Sequence, residues 1–226
     1  MAASARSAAL EGLKAWRLRG TWPDQFVKKE LPALGLSPKD KGLSVQLLYG
    51  TIQNLQRIDF YIGCYSSVKL RKIMPQVLDC LRLGVYQLVF LQKIPVSAAV
   101  NESVNLAKKA GGARAGGFAN AILRKVASQR ENLPEVTGED APSRMAVYYS
   151  HPLWFVRRMA ALLGEEETRE LLEADNMPPP VTARVNRLRL TGEELIARLA
   201  EEGITARLHP WLPDCIVFET GGDLTS

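Results

Sequence analysis

The sequence has few residues of the kinds that bind metal ions or act as catalytic bases. It contains two histidines, His151 and His209, each next to a proline at a position typical of a structural residue. Its three cysteines are Cys64, Cys80 and Cys215. Zinc sites commonly use two cysteines within a few residues of each other, and no two of these cysteines lie within four residues. We therefore expect no metal site, and we expect reduced thiols rather than a disulfide framework.

Long apolar runs are also absent. No stretch approaches the roughly 18 apolar residues that a membrane helix needs. The N-terminal residues lack the charged start, long apolar centre and cleavage site of a signal peptide. These absences predict a protein that makes no membrane contact and resides in the cytoplasm.

The glycine-rich segment 111–117 does not complete a known phosphate-binding motif. Its spacing from Gly111 to Gly116 matches two glycines of the nucleotide P-loop, but glycine and phenylalanine follow where Lys and Ser or Thr must bind phosphate and magnesium. The segment also follows a predicted helix rather than a strand, so it is no dinucleotide fingerprint. We interpret it as a flexible connection between helices in which Arg114 is available to a phosphate.

Charge is divided unevenly along the chain. Residues 1–130 hold 20 of the 29 Lys and Arg but 7 of the 24 Asp and Glu, an excess of 13 positive charges. Residues 131–226 carry an excess of 8 negative charges. This division favours a polyanionic partner for the first half, because neutralised phosphates release condensed counterions. A merely solvated surface remains the alternative.

The hydrophobic pattern predicts a mainly α protein, with an all-helical bundle followed by a small, incomplete α/β unit. Apolar residues recur at helical spacing throughout 1–130, including a long third helix over 37–62 and a sixth helix after Gly116 and Gly117. We interpret 131–143 as a linker, because the helical spacing fails there. Residues 144–226 then form a helical pair and an α/β unit. Its elements are helices at 152–163, 165–174 and 192–201, and strands at 181–186, 205–208 and 215–219.

Basic side chains on the helices are the candidate RNA-binding residues. Cations at helix C-termini are favourable in any case, so a purely structural role is an alternative for several of them. Charge also does not distinguish RNA from DNA. The candidates are Arg17, Arg19, Lys108, Lys109, Arg114, Arg124, Lys125 and Arg130.

Several strings in the first half resemble the NusB-type RNA-binding domain. They are LYGT at 48–51, LRLGVYQL at 81–88, IP at 94–95, VNESV at 100–104, AK at 107–108 and GFANAILR at 117–124. Strings in the second half resemble the segment before the catalytic domain in the RsmB (Sun, Fmu) family of 16S rRNA cytosine-5 methyltransferases. They are SHPLW at 150–154, LLEA at 171–174 with Asn176, and PPPVTARVN at 178–186.

The resemblance implies an RNA-binding, substrate-positioning front part of such an enzyme. In that family a separate domain binds S-adenosylmethionine and carries two cysteines, one after Thr and one after Pro. Here Cys64, Cys80 and Cys215 follow Gly or Asp. The resemblance thus assigns this chain no catalytic residue and no cofactor, and we expect it to be inactive alone. The implied partners are 16S rRNA and a ribosomal protein.

Two other functions stay open at this point. One is a non-enzymatic NusB-type RNA-binding factor in transcription antitermination or ribosome assembly. The other is a helical protein–protein adaptor, for which the uneven charge would be incidental.

Overall fold

The computed structural model describes residues 4–219. The chain divides into two compact units, of which the first ends at Asn176 and the second begins at Met177. Its helices and strands, in chain order, are α1 (Ala5–Arg19), α2 (Pro23–Lys29), α3 (Pro38–Gln53), α4 (Leu55–Tyr65), α5 (Pro75–Phe90), α6 (Val96–Ser128), α7 (Ala141–Tyr149), α8 (Leu153–Leu163), α9 (Glu165–Asp175), β1 (Thr182–Arg184), α10 (Gly192–Glu201), β2 (Ala206–Leu208) and β3 (Cys215–Phe218).

Helix α5 lies at the centre of the first unit and packs against α1, α3, α4 and α6. Two glycines allow its neighbours to come close. A β-carbon on Gly84 would lie 2.7 Å from a methyl group of Leu123 in α6, and one on Gly50 in α3 would overlap the hydroxyl of Tyr86. Protein interiors are close-packed, so neither position has room for an added methyl group. The small residues therefore set how closely the bundle is packed around α5.

The start of α3 follows the sequence prediction, but its end does not. The Ser37 side chain accepts a hydrogen bond from the backbone N–H of Asp40, 3.1 Å away, and Pro38 occupies the first turn. The predicted single helix over 37–62 is wrong, because Asn54 leaves the helical conformation. Its side-chain amide donates to the carbonyl of Gly50 at 2.9 Å. The backbone N–H of Asn54 donates to the same carbonyl oxygen at 3.1 Å, and the apolar spacing continues across the break.

The glycine-rich segment is a kink rather than a connecting loop. Only Gly111 and Gly112 leave the helical conformation, and the φ of Gly112 is +77°, which a glycine adopts without strain. Helix α6 resumes at Ala113, so the prediction that a helix begins after Gly116 and Gly117 is wrong. Arg114 consequently lies on a helix.

Helices α7, α8 and α9 belong to the first compact unit. The Asp140 side chain caps α7 by accepting from the N–H of Ser143 at 2.8 Å. Helix α7 packs on α4, where the Gln56 side chain donates to the carbonyl oxygen of His151 at 2.9 Å. The Gln53 side chain donates to the carbonyl oxygen of Asn176 at the same distance. These bonds attach the last three helices of the unit to the bundle.

The second unit contains a three-stranded antiparallel sheet in the order β1, β3, β2. In the register, Ala183 of β1 pairs with Ile216, and Arg207 of β2 pairs with Val217. Helix α10 packs against β2 and β3, and Thr191 caps it by accepting from the N–H of Glu194. The fold is mainly α with a small α/β unit, as the sequence predicts.

Candidate nucleic-acid interface

The second half of α6 has one buried face and one exposed basic face. Ala119, Ile122, Leu123 and Val126 are buried in the core. Residues spaced three and four apart on a helix share a face, and the opposite face is exposed. We call this exposed row the α6 stripe, and its members are Arg114, Gly117, Ala121, Arg124, Lys125 and Ser128.

The cations of the α6 stripe span about three turns of the helix. At a rise of about 1.5 Å per residue, Arg114 and Lys125 lie roughly 16 Å apart along the helix axis. The residues between the cations are small, so a sugar–phosphate backbone can approach the helix closely. No acidic residue occurs from Ala113 to Ser128. The stripe therefore presents positive charge without a competing carboxylate of its own helix.

Within the described part of the chain, the cations of the stripe have no acidic partner. Across residues 4–219, no ion pair involves Arg114, Arg124 or Lys125. Arg124 is oriented by a neutral group, since its Nε donates to Oδ1 of Asn120 at 3.0 Å. These side chains are thus free to pair with an anion.

The kink in α6 brings Lys108 close to Gly116, near the start of the second half of the helix. A β-carbon on Gly116 would lie 3.1 Å from the β-carbon of Lys108, so the two halves of the helix touch at this point. Both lysines are exposed and end the first half of the helix. Their favourable interaction with the helix dipole remains a structural reason for their presence.

Arg17 and Arg19 have protein partners instead. Nε of Arg17 donates to the buried Asp79 at 2.9 Å, and the Arg17 side chain is 22% exposed. Arg19 donates to Glu30 at 2.6 Å. Both arginines are among the RNA-binding candidates predicted from the sequence. That role stays a prediction, and the proposed interface does not include them.

Arg17 belongs to a buried charge network that joins α1, α4 and α5. Arg82 donates to Asp79 at 3.2 Å and to Asp59 at 2.7 and 2.8 Å. Burial tends to lower the pKa of Arg82, but its hydrogen bonds to Asp59 and the charges of Asp59 and Asp79 outweigh that effect and raise the pKa. Two arginines thus share two carboxylates, and the network holds three helices together.

A cleft that the sequence analysis missed lies just beyond the end of α6. We call it the tyrosine cleft and define it by Arg57, Tyr61, Arg130, Tyr148 and Tyr149, which line a cavity of about 640 Å³. Arg130 is the one sequence candidate that lines it, and it pairs with its neighbour Glu131 at 3.7 Å. The spacing of Tyr148 and Tyr149 gave no signal for the cleft, because their partner Arg57 is distant in the sequence.

The cysteines and histidines of the described residues have structural surroundings. Burial raises the pKa of the Cys80 thiol to about 12, with a further contribution from the charge of Asp79. Nδ1 of His151 donates a hydrogen bond to the carbonyl oxygen of Tyr149 at 2.8 Å. No set of three or more His, Cys, Asp or Glu in residues 4–219 can hold a metal ion. Within the same range no helix is both long and apolar enough to cross a membrane.

Comparison with known protein families identifies the family of the helical bundle. The NusB family model matches residues 3–128, which is more than half of the chain. The chain belongs to the NusB family. A second model, of the ferredoxin-like domain of RsmF/B-like methyltransferases, matches residues 151–225 of this NusB-family chain.

A curated relative matches nearly the whole NusB-family chain. The probable ribosomal RNA small subunit methyltransferase B of Bacillus subtilis (strain 168) is 35% identical over 219 residues, or 96% of this chain and 48% of the relative. The corresponding protein of Synechocystis (strain PCC 6803) is 29% identical over 93% of this chain and 47% of its own length. The chain thus spans about half the length of these relatives.

Solved structures show the same fold. That of PH0851 covers 97% of the NusB-family chain and 49% of its own, with a TM-score of 0.64 and 19% identity. The structure of the antitermination factors NusB and NusE in complex with dsRNA covers 55% of this chain and 93% of its own, with a TM-score of 0.50 and 25% identity.

Proposed function

We propose that this chain is the RNA-binding, substrate-positioning front half of a 16S rRNA cytosine-5 methyltransferase. The α6 stripe, with unpaired cations on an exposed helix face, is the observation that carries the proposal. The match to curated small subunit methyltransferases along nearly the whole chain supports it. We assign RNA binding to residues 1–130 and an accessory role to 144–226, with 131–143 joining them.

In this proposal the chain contributes affinity and position. Phosphate contacts fix the register and orientation of a nucleic acid without reading its sequence. Holding the RNA in place makes the reaction of one cytosine effectively unimolecular. Methyl transfer from S-adenosylmethionine belongs to the whole enzyme in the cytoplasm, and this chain supplies no catalytic residue for it. A ribosomal protein is the further partner that we propose.

Five cations form the proposed phosphate-binding surface. They are Lys108, Lys109, Arg114, Arg124 and Lys125. Arg130 lies beyond them in the tyrosine cleft.

Binding of the chain to a 16S rRNA fragment should weaken strongly as salt is added. Each neutralised phosphate contributes about 0.7 to 0.9 to the log–log salt slope, so five contacts give a slope of roughly −3.5 to −4.5. Affinity should accordingly fall about 100-fold to 500-fold between roughly 50 and 200 mM salt. Fluorescence anisotropy with a labelled fragment measures both values. A slope near zero, or no binding in dilute buffer, would contradict the proposal.

A second candidate is a non-enzymatic NusB-type RNA-binding factor. The likeness to the structure of NusB and NusE with dsRNA favours it, since that match covers 93% of the solved chain. The gene distinguishes the two functions. A reading frame that continues past residue 226 into a methyltransferase domain decides for the enzyme, and a stop codon at that point decides for the factor.

A further inference from the structure

The tyrosine cleft has the size and lining of a site for a single nucleotide. Its volume of about 640 Å³ lies within the roughly 300–1,000 Å³ of small-molecule pockets. Apolar side chains from the segment after α6, such as Leu133 and Val136, form part of its wall together with Met145 of α7. Polar groups surround this apolar part. Such a lining suits a flat, partly polar group such as a nucleobase.

The aromatic floor of the cleft is held rigidly by Arg57. Its guanidinium carbon lies 3.9 Å from the centre of the Tyr148 ring, 5.4 Å from that of Phe90 and 5.8 Å from that of Tyr61. Nε of Arg57 donates to the hydroxyl oxygen of Tyr61 at 3.0 Å, and its backbone N–H donates to Oγ of Ser150 at 3.2 Å. A guanidinium fixed among three rings leaves Tyr148 with little freedom. The floor is therefore arranged before any ligand arrives, which lowers the entropy cost of binding.

Tyr148 is the ring that a ligand can reach. The residue is 42% exposed although its ring packs on Arg57, and Tyr149 meets it edge to face with ring centres 4.9 Å apart. Proteins that bind single-stranded RNA stack unpaired bases on such aromatic and arginine planes. An exposed tyrosine backed by an arginine offers that surface.

The cleft is lined by charges of both signs, which suits a nucleobase better than a bare phosphate. Arg57, Arg130, Arg144 and Arg169 line it, but so do the carboxylates of Glu131, Glu135 and Glu165. Carboxylates repel phosphate oxygens and accept hydrogen bonds from the amino group of a base such as cytosine. The arginines of the lining can pair with the phosphates next to that base.

The cleft continues the α6 stripe. Arg130, which lines the cleft, follows Ser128 by two residues, and Ser128 ends both the stripe and α6. A strand that runs along the stripe towards the end of α6 therefore reaches the cleft. We propose that the tyrosine cleft binds one unstacked base of the RNA strand held by the α6 stripe, an inference that rests on the proposed function.

Comparing single-stranded with duplex RNA tests this proposal. The probes are an oligocytidylate of about ten nucleotides and an RNA duplex of about the same length. Both are long enough to contact the whole α6 stripe. Tyr148→Ala should weaken binding of the single strand about ten-fold through loss of base stacking. It should leave duplex binding and the salt slope unchanged, because a paired base cannot enter the cleft and Tyr148 binds no phosphate. Tyr148→Phe keeps the ring and should bind the single strand like the parent chain.

A crosslinking measurement covers the case in which Tyr148→Ala unfolds. An oligonucleotide that contains 4-thiouridine is irradiated with the unaltered chain, and the attached peptide is identified by mass spectrometry. We expect attachment to α7 at Ala141–Tyr149. Attachment to α6 alone, or a folded Tyr148→Ala variant with unchanged single-strand affinity, overturns the cleft proposal. If neither RNA binds in dilute salt, the proposed function itself fails.

Discussion

The double change Arg124→Glu and Lys125→Glu is expected to weaken RNA binding by about 25-fold or more in roughly 0.1 M salt. Two lost phosphate contacts remove the release of about 1.4 to 1.8 counterions, and the new carboxylates repel the strand further. The salt slope should become shallower by the same 1.4 to 1.8. Both values come from anisotropy titrations of a labelled 16S rRNA fragment over a range of salt concentrations. Both side chains are exposed, so the fold should not change.

A matched variant separates the position of these charges from their number. Lys39→Glu with Lys41→Glu lies at the exposed start of α3 and, like the first variant, lowers the net charge from +5 to +1. We expect it to retain most of the affinity and the full salt slope. Equal losses in the two variants would mean that RNA responds to the total charge of the chain, and the α6 stripe would then have no special role.

Asp79→Asn is expected to destabilise the first unit by about 3–5 kcal/mol, the usual cost of removing one partner from a buried ion pair. The Asp79 side chain is 3% exposed and accepts from Arg17 at 2.9 Å and from Arg82 at 3.2 Å. Without its charge, Arg17 loses its carboxylate partner while Arg82 keeps Asp59. Arg17 already has one buried Nη without a partner. Urea unfolding followed by circular dichroism measures the change.

The control for charge alone is Glu102→Gln on the exposed side of α6. This substitution removes one negative charge from an exposed residue. Across residues 4–219, no ion pair involves Glu102. A surface change of this kind should alter the free energy of unfolding by less than about 0.5 kcal/mol. If Asp79→Asn behaved like this control, the network would not be what joins α1 to α5.

Local signals in the sequence predicted much of the fold. The proline at the start of α3 and the Ser37 cap marked that helix correctly, and the strand β3 and the helix α10 also lie where their patterns indicated. These features depend on neighbouring residues only. The exposed cations of α6 were found in the same way, since helical spacing fixes which of its faces is buried.

Features that depend on distant residues were not predictable. The bond between Arg17 and Asp79 joins positions 62 residues apart, so Arg17 looked like any other cation at a helix end. The contact between Arg57 and Tyr148 joins positions 91 residues apart, and neither residue alone indicates a cleft. The break at Asn54 gave no sequence signal for a different reason, because the apolar spacing continues across it.

Lysine acetylation footprinting measures most directly whether the second half of α6 and its kink hold the RNA backbone. The chain is treated with a limiting acetylating reagent with and without a 16S rRNA fragment, and each lysine is quantified by mass spectrometry. We predict that RNA protects Lys108, Lys109 and Lys125, while the exposed Lys39 and Lys41 react equally in both samples. Unchanged reactivity at all three α6 lysines, with the fragment bound, would contradict the account.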